Sequence, residues 1–379
     1  MARKTILITG GAGFIGSKLT RSLLYLGHRI VVLDCLSPQV HSDPSKTHKK
    51  IDELGSDVKF VLGDVTCRED LIESLQGVDS VVHLAAETGT GQSMYAIEHY
   101  TNVNIGGTAL LLDVIANEKF PIKRLVVASS RAVYGEGKYR CPEHGAIFPG
   151  ARSEVLLSKG KFDHYCPHCE MVLELQPTDE DSALKPSSVY GVTKLTQEQL
   201  VLSVGAALGI SAIAFRYQNV YGPGQSLANP YTGILSIFST RLKNGKSFNI
   251  FEDGMESRDF VYIDDVISAT ILGIEHPEPI VDVFNVGSGV GTSVLDIAKL
   301  LQNRLAKTAE MSITGQYRIG DIRHNVADLG KGHRMLGYSP KVSLEVGLKQ
   351  FVDWVETEAI AIDRYDESLS ELAARGLIK

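Results

Sequence analysis

Apolar residues along this chain fall into short, nearly continuous runs separated by stretches of helical periodicity. The first run covers residues 4–9, an amphipathic pattern follows over about 14–26, and a second apolar run covers 30–33. That order predicts a strand, a crossover helix and a parallel second strand. It continues with DVKFVLGDV at 57–65, VDSVVHLAA at 78–86, RLVVASS at 124–130 and SAIAFRY at 211–217, with helices over 68–76, 94–118 and 188–208. Strands that are apolar on both faces lie in a parallel sheet covered by helices on both sides, so the pattern predicts a doubly wound α/β fold of the Rossmann type. The same reading assigns 1–219 to a dinucleotide-binding domain and 220–379 mainly to a smaller α/β lobe, with 259–287 returning to the first domain. AIAIDRYDESLSELAARG near the end reads as a terminal helix.

Gly10, Gly13 and Gly16 stand between the first strand and its helix. This spacing gives a tight turn, a close approach of backbone to a pyrophosphate, and close packing of helix on strand. Asp34 ends the second strand, where a carboxylate accepts hydrogen bonds from an adenosine ribose and repels a 2'-phosphate, so NAD is expected rather than NADP. Phe14 and Ile15 in the turn, Asp64 and Val65 ending the third strand, and Ala85 and Ala86 ending the fourth complete the expected cofactor contacts. His83, inside an apolar strand, reads as a packed residue. SSVYGVTK at 187–194 sets Tyr190 and Lys194 four apart on one helix face, and Ser130 ends the fifth strand. A phenol with a reference pKa near ~10 is a poor base, but a neighbouring ammonium favours its phenolate. Tyr190, Lys194 and Ser130 together are suited to removing a proton from a hydroxyl that becomes a ketone.

Composition narrows the partners. The chain has 379 residues, 38 basic and 45 acidic, for a formal charge of -7, and its only basic clusters are short, such as KTHKK at 46–50. Nucleic acid and membrane surfaces are therefore not expected, and a small anion remains compatible. With no apolar stretch near the length of a membrane span, a cytoplasmic protein is expected, a setting that disfavours structural disulfides.

ITGGAGFIG, HLAA, SSRAVYG, SSVYGVTK and RYQNVYGPGQ resemble the extended short-chain dehydrogenase/reductase family acting on nucleotide sugars, over residues 1 to about 356. NPYTGIL, GMESRDFVYIDD and YRIGDIRHNVAD resemble its nucleotide-diphosphate-binding segments. The resemblance implies that Asn219, Asn229, Arg258, Arg318 and Asp321 contact a nucleotide-diphosphate sugar, and a guanidinium suits a diphosphate because it engages two oxygens at once. It also implies a homodimer through the helices near 98–118 and 188–208. Family dehydratases carry an acidic pair after the strand-five hydroxyl, whereas Arg131 and Ala132 stand here, which favours 4-epimerisation through a transient 4-keto sugar. Thr88, Ser93 and Met94 are the expected sugar contacts, and 86–104 supplies no Lys or Arg for a C6 carboxylate. With CLSPQVH at 35–41, YRCP at 139–142 and LANPYTG, the stretch 86–104 resembles the subgroup of bacterial enzymes that act on dTDP-L-rhamnose. A UDP-hexose or UDP-uronate epimerase, a 4,6-dehydratase or ketoreductase, and a non-catalytic NAD-binding scaffold are the alternatives.

Between VYG at 133–135 and Tyr190 the chain is far longer than a crossover requires. The Cys-rich insertion, 137–180, holds Cys141 and His144 in CPEH and Cys166 and Cys169 in CPHC. Two knuckles of this spacing predict a structural zinc site, with His164 or His168 as substitutes for His144, and with a redox pair or inert loop cysteines as the other readings.

Overall fold

The computed structural model describes residues 3–41, 43–231, 233–307 and 309–379. Its first strands are β1 (Thr5–Thr9), β2 (Arg29–Asp34), β3 (Val58–Leu62), β4 (Ser80–His83) and β5 (Arg124–Ser130). The insertion contributes β6 (Tyr139–Cys141), β7 (Gly145–Ile147) and β8 (Glu174–Leu175). After these come β9 (Ser211–Tyr217), β10 (Asn219–Tyr221), β11 (Phe248–Ile250), β12 (Ser257–Tyr262), β13 (Val281–Val286), β14 (Gly291–Ser293), β15 (Met311–Ile313) and β16 (His324–Asn325). Seven of them form one parallel sheet in the order β13-β9-β5-β4-β1-β2-β3. The connections change direction between β1 and β4, so a crevice opens at the carboxyl ends of those strands.

Side chains of β1 alternate between two cores, as the two-residue strand period requires. Ile6 and Ile8 join Leu19 and Leu23 of the helix Phe14–Tyr25 on one face, while Leu7 joins Leu111 and Ile115 of the helix Gly107–Asn117 on the other. Each such buried aliphatic side chain contributes roughly 1.5–3 kcal/mol. The helix Val189–Leu208 is locked onto β5 and β9 by a buried ion pair. Arg216 donates to Glu198 at 2.6 and 3.0 Å, and the Ser129 hydroxyl donates to the same carboxylate at 2.6 Å. This network fixes the helix that carries Tyr190 against the strand that carries Ser130.

The stretch 259–287 divides. Residues 281–286 form β13 at the edge of the large sheet, whereas β12 pairs with β10, β14 and β16 in a small mixed sheet, so the DFVYI strand does not return to the large one. The helix expected over 94–118 is also interrupted, by a π turn at Thr101–Gly106 between Ile97–Tyr100 and Gly107–Asn117. The interruption aims Asn104 at the loop after β4. Its amide oxygen accepts from the Glu87 N–H at 2.7 Å, and its nitrogen donates to the Glu87 carbonyl at 3.1 Å and to Thr193 at 2.9 Å. A π turn that re-aims one polar side chain at a site loop is a recognised cause of such breaks.

Candidate active site

A cavity of about 740 Å³ follows the crevice and is lined from both the large sheet and the lobe. On the sheet side the glycine turn is cramped where the packing reading requires it. Gly10 has φ +68°, and a Cβ there would stand 2.8 Å from the Ala85 nitrogen, while one on Gly16 would stand 2.3 Å from the Gly10 carbonyl. A Cβ on Gly13 would meet only that carbonyl, at 3.3 Å, because this residue faces the open crevice. Asp34 lines the cavity beside the turn, with one oxygen accepting from Ala12 N–H at 3.0 Å and the other from Leu36 N–H at 2.9 Å. Phe14, Ile15, Asp64, Val65, Ala85 and Ala86 line it as well. These residues fit an adenine dinucleotide: open backbone at the helix amino terminus, a held carboxylate at the ribose position and small side chains along the path.

Ser130, Tyr190 and Lys194 meet in the same cavity. Burial raises the pKa of the Tyr190 phenol, while the Ser130 hydroxyl and the Arg131 charge lower it. Lys194, the ammonium expected beside Tyr190, lines the cavity with it and donates to Gln197 at 2.6 Å, and burial lowers its pKa to about 7. Arg131 is the residue that sequence reasoning missed. It was read only as a missing acid, yet it lines the cavity, with its Nε donating to Asn219 at 2.7 Å. Burial and the neighbouring Arg258 lower its pKa to about 9. His83 is packed, between Thr9 at 2.7 Å and Thr108 at 2.9 Å, and burial lowers its pKa to about 3.

Of the expected sugar contacts, Thr88 lines the cavity and Ser93 and Met94 do not. The Ser93 hydroxyl is buried, donating to the Thr90 carbonyl at 2.7 Å and accepting from the Tyr190 N–H at 3.0 Å, so it sets the start of the Tyr190 helix. Met94 follows the short helix Thr90–Ser93, and its sulfur lies 3.9 Å from where a Cβ on Gly320 would stand, between the lining residues Ile319 and Asp321. Asn219, Asn229, Arg258, Arg318 and Asp321 all line the lobe side. Arg318 is paired with Asp321 at 2.6 Å and lies over the Phe251 ring at 4.8 Å. Both Nη atoms of Arg258 are already occupied by the carbonyls of Ser257, Ile322 and Arg323, at 2.7–3.0 Å.

In the insertion, Cys141, His144, Cys166 and Cys169 converge, with their candidate donor atoms all within 4.8 Å of one another. The sulfur of Cys141 lies 3.5 Å from His144 Nδ1 and 3.6 Å from the Cys169 sulfur, and Cys166 lies 3.6 Å from the same nitrogen. His164 points elsewhere, 3.0 Å from Glu136, and His168 stacks beside His144.

A strand-turn-helix anion site, a serine at the end of strand five and a half-buried tyrosine at the start of the helix Val189–Leu208, in one cleft, define a dinucleotide-dependent enzyme of the short-chain dehydrogenase type. The chain belongs to the NAD dependent epimerase/dehydratase family, whose model matches residues 6–287. It is similar to dTDP-L-rhamnose 4-epimerase of Burkholderia thailandensis, with 37% identity over 94% of this chain and 96% of the relative. Among solved structures it resembles the UDP-glucuronic acid 4-epimerase of Bacillus cereus in complex with UDP-glucuronic acid and NAD, with 29% identity, a TM-score of 0.75, and 93% and 99% of the two chains covered. It also resembles the UDP-glucose 4-epimerase of Thermotoga maritima with UDP-glucose, at 30% identity and a TM-score of 0.75 over 93% and 98%.

Proposed function

We propose that the protein is an NAD-dependent 4-epimerase of a nucleotide-linked sugar, converting dTDP-L-rhamnose to dTDP-6-deoxy-L-talose. The observation that carries this reading is the single cavity joining the Gly10–Gly16 turn, the Ser130 and Tyr190 pair, and the lobe residues Arg318 and Asp321. When bound, NAD supplies a hydride acceptor and donor for sugar C4. Tyr190 removes the C4 hydroxyl proton and later returns one, Ser130 holds the sugar oxygen, and the Arg131 charge favours the phenolate. Asp34 supports NAD over NADP, and finding only NADP(H) released on denaturation contradicts that. Arg131 and Ala132, in place of an acidic pair, leave elimination without its proton carriers. The Burkholderia relative supports dTDP-L-rhamnose as the substrate. A UDP-uronate is the second reading, favoured by Arg131, a cavity cation that lies outside 86–104. Comparing kcat/KM for dTDP-L-rhamnose, UDP-glucose and UDP-glucuronate, with products identified by NMR at C4, separates the two. Preference for a UDP sugar overturns the rhamnose assignment, and a 4-keto-6-deoxy product overturns epimerisation.

We also propose a structural zinc held by Cys141, His144, Cys166 and Cys169. A tetrahedral site with Zn–S near ~2.3 Å and Zn–N near ~2.0 Å places its donors roughly 3.5–3.8 Å apart, in keeping with the spacings above. With four protein ligands the metal is closed to substrate, and a reducing cytoplasm, the setting proposed here, keeps these thiols available. Metal analysis of protein purified without added zinc should find it bound in the parent and lost in Cys166→Ser; a metal-free parent contradicts the site. Among the described residues no helix is long and apolar enough to cross a membrane. A homodimer through the Gly107–Asn117 and Val189–Leu208 helices completes the proposal, and a monomer by light scattering contradicts it.

A further inference from the structure

The end of the chain, which carries none of the motifs above, closes the outer wall of the cavity. After the helix Tyr365–Ala374 the chain turns at Gly376, φ +68°, and pairs antiparallel with the segment that carries Arg318. Tyr317 and Lys379 exchange backbone hydrogen bonds at 2.9 and 3.0 Å, and Ile319 N–H donates to the Leu377 carbonyl at 3.0 Å. Asp366 of the helix pairs with Arg241 of the lobe at 2.7 Å, and a second carboxylate of the helix reaches across the crevice. Glu371 accepts from the Tyr95 hydroxyl at 2.7 Å and from the Tyr231 hydroxyl at 3.0 Å. Tyr95 follows β4 on the dinucleotide side and Tyr231 belongs to the lobe, so the strap spans both halves of the crevice. Arg375 adds a contact over the Tyr95 ring at 4.2 Å. Held this way, Leu372 and Leu377 line the cavity. Leu372 sits against the loop after β4, its methyl groups 3.4 and 3.5 Å from where a Cβ on Gly91 would lie, three residues from Thr88.

We infer that Leu372 and Leu377 are specificity-determining residues, the apolar wall that receives the sugar of the nucleotide sugar, with Glu371 as the positioning residue that holds the wall in place. The inference rests on the nucleotide-sugar reading above and adds the residues that select an uncharged, apolar C6. An apolar wall separates sugars by the methyl it packs and cannot strongly reject an added hydroxyl, so its effect is graded.

The test uses the full chain and variants Leu372→Ala, Leu377→Ala, Glu371→Gln and Glu371→Ala, with retained NAD measured after denaturation. On dTDP-L-rhamnose, Leu372→Ala should raise KM about tenfold or more with kcat retained, and the preference over UDP-glucose should narrow by a similar factor. Glu371→Gln, which keeps an acceptor oxygen, should fall between parent and Glu371→Ala in KM. An unchanged KM and preference in both leucine variants, with NAD still bound, overturns the inference. If the parent does not epimerise dTDP-L-rhamnose, the substrate assignment fails by itself, and the same KM comparison is made on the sugar it does convert. Hydrogen exchange over 365–379 tests the wall without turnover. Slower exchange with a nucleotide sugar than with the nucleoside diphosphate alone supports it, and equal exchange overturns it.

Discussion

The dinucleotide side of the cavity takes its lining mainly from one glycine turn and the ends of adjacent strands, whereas the substrate side gathers loop, short-strand and helix residues from Asn219 to Leu377. On the first side the backbone does the positioning: once β1, β2 and β4 pair, Gly13, Asp34 and Ala85 have little freedom left. On the second, side chains position other side chains. Arg152 of the insertion donates to Glu252 at 2.7 Å and to the Asp321 carbonyl at 3.0 Å, and Arg323 pairs with Asp163 at 2.9 Å and Asp253 at 2.6 Å. A half held by sheet geometry tolerates remote changes. A half held by buried charges transmits them to the substrate.

The largest effect expected is at the junction of the halves. Tyr190→Phe removes the proton carrier and should lower kcat by about 10²–10⁴-fold while leaving bound NAD unchanged, measured by turnover and by cofactor released on denaturation. Next is Arg152→Met, which removes the guanidinium 3.2 and 2.7 Å from the buried Glu136 and Glu252 and leaves Glu252 with Arg323, at 3.1 Å, and Glu136 with the Arg323 N–H, at 2.7 Å. Loss of one member of a buried pair costs about 3–5 kcal/mol. Here it should lower Tm and raise KM for the nucleotide sugar more than it changes NAD content, and equal loss of both would erase the contrast between the halves. Gly16→Ala probes the other side. Its Cβ has nowhere to go, so a loss of about 1–3 kcal/mol in stability and release of NAD are expected, with KM for the sugar unchanged in cofactor-saturated protein.

The smallest effect is a slope. Lys194 holds its proton less tightly in the fold, with a pKa of about 7 against 10.5 as the ordinary value. Between those values the unfolded chain binds more protons, so this group makes folding stability rise with pH above 7 and fall as pH drops toward it. Denaturant titrations of NAD-free protein at pH 7 and pH 8 should show the parent gaining about 1 kcal/mol relative to Lys194→Met.

The contrast also explains what could be read from sequence. β5 and β9, Arg124–Ser130 and Ser211–Tyr217, are found at their expected bounds because apolar runs covered on both faces have one stable arrangement. Within each knuckle the two residues meet because ligand-x-x-ligand spacing is itself a local geometry, and the β7-β6-β8 sheet of the insertion brings the two knuckles together. Arg131 escaped notice because its direction depends on Asn219, which is distant in sequence. Met94 stands just behind the lining, beside Gly320, a position that proximity along the chain does not specify. The strap left one legible trace, the apolar spacing of Tyr365, Leu369 and Leu372 on a terminal helix, but nothing local says which surface that face covers.

The central claim is that one cleft takes a hydride from sugar C4 and gives it back to the same carbon. Substrate deuterated at C4, incubated in ordinary water with purified protein and no added cofactor, tests it most directly. The account predicts that both C4 epimers, separated and examined by NMR, retain the deuterium, with no net change in nicotinamide absorbance. Exchange of the label for solvent hydrogen, or turnover only when NAD is supplied in proportion to product, would contradict it.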